Sequence, residues 1–362
     1  MKKLFSIIAM CLVSLGMMAQ SSLVATLTHE GANSEFYGAN ALQDALEIAQ
    51  DGDLITLSAG TFVMRSGNFV FNKELIIRGN GMEGSGATII DSPVQVEANE
   101  NETLGLKIEG VSFNQAFNIK GQPNSSTPYI VEDITLVKCK MQSIGSNPSL
   151  GGRWGEYQYH GTFKNLTLVN CKCIGSLTVY NESVVSIINS IVRNIVTGKS
   201  EGFNNNVSLS LDHSINIAIC SPDAMPKGVF RNSIIMVKNS IYGDSEGYYK
   251  FNSASQFTNC IISGQDIFHQ DKLFNYCQNE NSEFRAMGQL FKTCTNYEEL
   301  VDDTYELTDE AKTLLSTDGT TERGIYGGAA PYSSVVTYPR FTTFNVAEKA
   351  VDGKLSVEIA VE

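Results

Sequence analysis

Basic residues are in short supply along this chain. Lysine and arginine number 26 against 39 aspartates and glutamates, a formal net charge of −13, and no Lys/Arg-rich tract interrupts the acidic background. A surface of that sign repels nucleic acid and anionic lipid, so neither is expected as a partner. Phosphate-cradling glycine loops, a G-x-S-x-G elbow and a dinucleotide fingerprint are missing, which removes the chemistries those motifs carry. No Cys-x-x-Cys pair or Cys/His cluster has metal-ligand spacing, and no metal or other cofactor is expected. Of the eight cysteines, Cys11 lies in the leader described below. The odd number left over cannot form a complete disulfide framework.

The N-terminus supplies the compartment. Lys2 and Lys3 precede an apolar run over 4–18, and Ala19 offers a small residue for cleavage before Gln20. Residues 1–19 therefore read as a secretory signal peptide, too short for a membrane span, and the protein is expected to be secreted or held at the cell surface.

What the middle of the chain does contain is repetition. Alternating apolar residues lead into Asn, then Ser or Cys, then more apolar residues. The pattern reads LTLVNCKC at 166–173, VSIINSIV at 185–192, VFRNSIIM at 229–236, IMVKNSIY at 235–242 and QFTNCIIS at 256–263. LSLDHSIN at 209–216 is a variant with Asp212 and His213 in the Asn-Ser positions. A period near twenty with strand-like units marks a solenoid, in which each unit buries its apolar face only against its neighbours. Asn suits a left-handed bend between two short strands, and its amide can pair with the Asn one rung away. Cys139, Cys171 and Cys260 follow the Asn position or its equivalent and are expected to stack as small buried side chains. Cys171 and Cys173 are read as lying on alternate faces of one strand, while Cys277 and Cys294 fall outside the pattern and stay open to a bridge.

The ends of the repeat are marked too. Leu42, Ala45, Leu46 and Ala49 give helical spacing over 40–50, with Asn40 and Gln43 placed for a capping box. A strand is expected over 22–28, and a turn at Asp51-Gly52-Asp53 leads into another at 54–57. The stretch ALQDALEIAQDGDLITLSAGTF at 41–62 resembles the opening segment of right-handed parallel β-helix proteins of the pectin-lyase-like superfamily. Glu322-Arg323-Gly324-Ile325-Tyr326-Gly327-Gly328 with Pro331-Tyr332 is similar to the closing segment of many secreted bacterial β-helices. The resemblance implies an all-β fold: a single-stranded right-handed parallel β-helix with an N-terminal capping helix and a short C-terminal β extension. Rungs begin at 75–81, 87–91, 106–113 and 134–141. Roughly ten to thirteen of them, about 4.8 Å apart, would make a rod of order 50–60 Å.

The expected organisation is a signal peptide over 1–19, the β-helix over 20–332 and a strand extension over 333–362. An acidic, helix-compatible excursion over 296–316 precedes the closing segment. In the tail, 341–346 and 354–361 alternate like two paired strands joined by Asp352-Gly353.

One step breaks the period. Lys138 to Asn170 spans about a dozen residues more than a rung needs, and the surplus forms an inserted loop at 143–162. It holds the single Trp of the chain. Arg153, Trp154, Glu156, Tyr157, Tyr159 and His160 are the candidate substrate-binding residues. Aromatic rings stack on sugar faces, while Arg and Glu give bidentate and acceptor contacts. The competing reading has these aromatics fold back over their own coil.

The resemblance also implies what an enzyme of this fold would carry. Its lyases gather acidic residues to hold Ca²⁺ beside a basic proton abstractor, yet Glu109, Glu132, Asp133 and Asp212 are scattered here. Of the polygalacturonase-type signatures only an Asp-Asp occurs, at Asp302-Asp303, and the Asp/Asp/Arg set of the methylesterases cannot be located. Arg153, His160, Arg193, His213, Arg231 and Lys238 remain as lone candidate bases. Asp212 and His213, being adjacent, would face opposite ways on a strand and form no dyad unless they lie in the bend. Three functions stay open: binding of an extracellular glycan or surface component, a polysaccharide lyase or glycosidase of unrecognised type (Ca²⁺ only if a lyase), and an adhesin or structural rod. Oligomeric state is not legible.

Overall fold

Parallel strands dominate the computed structural model, which describes residues 23–97, 104–119, 122–123, 130–146, 158–159, 161–180, 182–198, 207–220, 227–236, 254–263, 278–285, 287–292, 305–314, 321–336, 338, 341–346 and 357–361. One twelve-stranded sheet begins with two antiparallel strands and continues as ten parallel ones, from Asp53–Leu57 to Gln278–Glu280. A second sheet, also of twelve strands, stacks in the same order from Gly60–Phe62 to Glu283–Phe284. Each rung leaves the first sheet through a tight bend and enters the second. This is the parallel β-helix that the repeat called for.

Alternation explains the interior. In rungs such as Thr162–Val169 and Val184–Ile188 the apolar residues Leu166, Leu168, Val185 and Ile187 point inward and are buried, while Thr167 and Ser186 face out. Register then stacks like on like: Leu136, Leu168, Ile187, Leu211 and Phe230 lie in one inward column. Phe230 stacks on Phe257 with centroids 4.7 Å apart. Gly228 leaves space for that ring, since a Cβ there would stand 2.2 Å from Phe230.

The bend column is the most regular feature. Gly110, Lys138, Asn170, Asn189, His213, Asn232, Asn259 and Asn281 occupy equivalent positions on successive rungs, all with φ between 45° and 70°. Two sequence assignments change here. His213, not Asp212, takes the Asn position, with Ser214 behind it; Asp212 ends the strand Ser208–Asp212 as Ile188 ends the one before. The IMVKNSIY copy is not a rung, because Lys227–Arg231 pairs directly with Gln256–Thr258 and Ile234–Met236 with Ile261–Ser263.

Behind the Asn column runs a second one, of Ser and Cys, with a specific task. The residue after each bend points its N–H along the rod, where no carbonyl meets it, and the side chain of the next rung accepts it instead. Cys171 N–H donates to Ser190 Oγ at 2.9 Å, Ser190 N–H to Ser214 Oγ at 3.2 Å, Ser214 N–H to Ser233 Oγ at 3.1 Å and Cys260 N–H to Ser282 Oγ at 2.9 Å. The Val111 and Ser233 amides use the sulfurs of Cys139 and Cys260 in the same way. A buried amide without such a partner costs free energy, which explains why this position is Ser or Cys. The expectation of small buried side chains holds for Cys139, Cys171 and Cys260. The alternate-face reading of Cys171 and Cys173 does not: both are buried, because residues two apart share a face. Cys277 and Cys294 lie outside the described residues.

The N-terminal end of the rod is closed. At the N-terminus a hairpin, Val24–His29 with Ala32–Tyr37, lies antiparallel on Asp53–Leu57, and the helix Ala41–Ile48 packs Ala41, Leu42 and Ala45 into the core. The expected capping box does not form. Asn40 Nδ2 donates to Val63 O at 2.8 Å, and Gln43 Oε1 accepts from Arg65 N–H, so both side chains tie the helix to the first turn of the rod.

The C-terminal part covers one side. Ile191, Ile215, Ile234 and Ile261 align in register on the outer face of the second sheet, since their neighbours Val192, Ile235 and Ile262 belong to the interior core. Leu290, Phe291, Tyr305, Leu307, Ala311 and Ile325 bury that stripe in a second apolar cluster. Of the expected acidic excursion, the described helix is a single turn, Asp309–Lys312, capped by Thr308 Oγ1 accepting from Ala311 N–H. Residues 321–338 then run back along the bend column as a strap. In the tail, Phe341–Val346 and Val357–Val361 pair antiparallel, as the alternation predicted. No helix among the described residues is long and apolar enough to cross a membrane.

Candidate functional site

Two regions depart from plain rungs: the return corner, where the second sheet hands the chain back to the first, and the bend edge under the strap. From the strand Ile130–Val137 onward every bend is two residues long, so variation in rung length there collects at the return corner. The connections over 98–103, 120–129, 147–161, 199–206, 221–226 and 264–277 all fall there. Loops on one side of a rigid scaffold are where binding residues gather.

Arg153, Trp154, Glu156, Tyr157 and His160 lie outside the described residues. The backbone of Tyr159 is described. Gln158–Tyr159 forms a two-residue strand antiparallel to Gln122–Pro123, with Tyr159 opposite Gln122. This pairing ties the inserted loop to the loop one rung earlier. Gly161 follows, and a Cβ there would stand 2.6 Å from Ile119 Cγ2, so only glycine lets the chain re-enter the rod at that point. Sequence reading singled out the loop but not its partner at 122–123, which lacks aromatic or charged residues.

Below that corner, the scattered acids have local partners rather than a shared ion. Lys164 Nζ reaches Glu132 Oε1 at 2.9 Å, and Asn165 Nδ2 donates to Asp133 Oδ1 at 2.9 Å on left-handed backbone at both residues. No group of three His, Cys, Asp or Glu able to hold a metal exists among the described residues.

The bend edge holds the Asp212–His213 pair, which only a place in the bend allows. His213 sits in the bend with φ 46°, which turns its ring toward its neighbour, and Nδ1 lies 3.0 Å from Asp212 Oδ1. Asn232 Nδ2 adds a hydrogen bond to the same oxygen at 3.2 Å. The His213 hydrogen bond, helped by Asn232 and the charge of Arg231, outweighs burial and holds the Asp212 carboxyl below the usual carboxylate range. The ring is only 9 % exposed and its Nε2 has no partner. Gly327 and Gly328 lie over it, where added Cβ atoms would stand 2.7 Å and 2.9 Å from ring atoms. A substrate cannot reach that nitrogen while the strap is seated, so the pair is structural in this arrangement.

The strap meets almost every bend residue. Arg323 pairs with Glu283 at 2.9 Å, and Gly324 N–H donates to Asn232 O at 2.7 Å. Asn189 Nδ2 donates to Ile325 O at 2.9 Å and Gly327 O at 2.7 Å. Ser333 N–H donates to Asn170 Oδ1 at 3.2 Å, and Lys138 Nζ donates to Val335 O. Tyr338 donates its hydroxyl to Gly79 O, with Arg78 over its ring at 5.6 Å. The predicted Asn-to-Asn pairing therefore survives only toward the C-terminal end, where Asn259 Nδ2 donates to Asn232 Oδ1 at 3.2 Å.

Comparison with models of protein families, with curated proteins and with solved structures finds no match to this chain.

Proposed function

We propose that the chain is an exported β-helix, a distant relative of the pectin-lyase-like proteins, that holds an extracellular polysaccharide through the loops of its return corner. The observation that carries this reading is the antiparallel pairing of Gln158–Tyr159 with Gln122–Pro123, which binds the Trp154 loop to its neighbour and gives it a fixed root. A root of this kind lowers the ordering cost of a binding loop, and aromatic residues with Arg and Glu suit a sugar ring and its hydroxyls. Binding without cleavage is favoured over hydrolysis or elimination because Asp212–His213 is closed off by the strap and Glu132 and Asp133 are engaged in local pairs.

The test is retention on immobilised polysaccharides. The wild-type chain is expected to be retained by at least one neutral or acidic polymer, and Trp154→Ala to lose that retention with an unchanged melting temperature. Equal retention of both would remove the loop from the account and leave an adhesin whose partner binds elsewhere. Release of unsaturated or reducing ends from the polymer would instead make the protein an enzyme.

A further inference from the structure

The strap is held differently from every rung beneath it. Rungs are joined by continuous backbone ladders, whereas among the described residues the strap makes a single backbone-to-backbone hydrogen bond to the rod, Gly324 N–H to Asn232 O. Its other polar ties are side-chain contacts: from the bend column Asn189 takes two carbonyls, Lys138 one, and Asn170 one amide, while the strap's own Arg323 and Tyr338 reach Glu283 and Gly79 O. Shape requirements are few. Ile325 drops into the outer isoleucine cluster, Gly327 and Gly328 pass over His213, and Val336 lies against Gly110. Recognition of an extended segment by its main chain, with a few side-chain pockets, is a general mode of peptide binding.

The fit is also incomplete at one end. His213 Nε2, Glu322 Oε1 and Arg323 Nε are buried without partners, all at the start of the strap or directly under it. Such groups are rare in well-packed interiors and raise the free energy of the seated state. The rungs themselves do not depend on the strap for their ladders.

From this we infer that the bend edge is a seat for an extended peptide, filled in cis by residues 321–338 and open to the same segment of a second copy of this chain when that strap lifts. The occupant is set by the seat: only a segment with paired glycines three residues before a Pro-Tyr and seven before a Val-Val matches the His213 crossing and the Gly110 contact together. Strap exchange would link two rods side by side along their bend edges without altering the return corner.

A protease site placed in 315–320 of the full-length protein tests this. After cleavage, the fragment from Thr321 onward should co-elute with the rod, and a fluorescent peptide of residues 321–338 should replace it over hours. Asn189→Asp puts a carboxylate against the Ile325 and Gly327 carbonyls and should speed exchange tenfold or more. Asn259→Asp, whose amide donates to Asn232 Oδ1 within the bend column, should leave the rate within twofold of wild type. Immediate loss of the fragment on cleavage would overturn the proposal. So would a fragment that never exchanges, or equal rates for the two variants.

Discussion

Replacing Ser214 by alanine probes the reason this chain repeats Asn-Ser and Asn-Cys at all. Ser214 Oγ accepts the Ser190 amide at 3.2 Å and donates to Asp212 O at 2.9 Å, and both serines are fully buried. Alanine removes one oxygen and leaves the Ser190 N–H without an acceptor in a dry interior. Asp212 O keeps the amide of Asn189 at 3.0 Å, so the carbonyl is not orphaned. The cost is then that of one unsatisfied buried donor, about 1–3 kcal/mol. Ser214→Cys should cost less than the alanine change, because Cys139 and Cys260 already perform this task with sulfur on other rungs. Ser210→Ala, on the outer face of the strand that leads into this bend, is the control and should fall within about 0.5 kcal/mol of wild type. Urea unfolding followed by circular dichroism reads all three. An alanine variant indistinguishable from the Ser210 control would refute the idea that the column exists to satisfy the bend amides.

Two further outcomes follow from charge and burial. His29 Nδ1 lies 2.7 Å from Asp53 Oδ1, joining the N-terminal hairpin to the first rung. The hydrogen bond to Asp53 raises the His29 pKa above 6.5. For Asp53, burial pushes the carboxyl up, but the Gln50 amide and His29 outweigh it and hold it below 3.8. The His29 contribution is thus complete below pH 6.5 and lost as pH rises through its folded value, while that of Asp53 is present above 3.8 and lost as pH falls through its own. Protection factors of the amides in Val24–His29, corrected for intrinsic exchange at each pH, should be highest between those limits, and His29→Ala should remove the loss on the alkaline side. Burial also pushes the thiols up, Cys173 to about 12 and Cys260 to about 11. Iodoacetamide at pH 8 should leave Cys139, Cys171, Cys173 and Cys260 unmodified in the folded protein, and mass spectrometry after digestion would show it; rapid labelling of any of them contradicts the packing.

Much of this fold was legible in the sequence because it rests on local, periodic demands. Alternation specifies which residues point inward, and Asn marks a left-handed bend that few other side chains tolerate. Those two signals located the rungs at 166–173, 185–192, 229–236 and 256–263. They misled where a local pattern had two readings. Asp212-His213 resembles Asn-Ser by position alone, and only pairing with Ile188 and Arg231 shows that the bend falls one residue later. IMVKNSIY carries the motif, yet no rung stands between the strands at 227–231 and 256–258 or between those at 234–236 and 261–263. The course of the strap was hidden for a different reason: 322–332 stood out as a closing segment, but its partners lie up to 259 residues away, from Tyr338 to Gly79, and no periodicity encodes such a contact. The outer isoleucines were hidden likewise, since Ile-Ile in Ile234-Ile235 and Ile261-Ile262 signals two buried faces only once something is known to cover the second.

Hydrogen–deuterium exchange of the full-length protein, with and without a polysaccharide that retains it, tests the account's central claim most directly. Protection should appear in peptides covering 120–129 and 147–160, with the strap over 321–338 unchanged. Protection confined to the strap and the bend column, or none at the return corner, would contradict it.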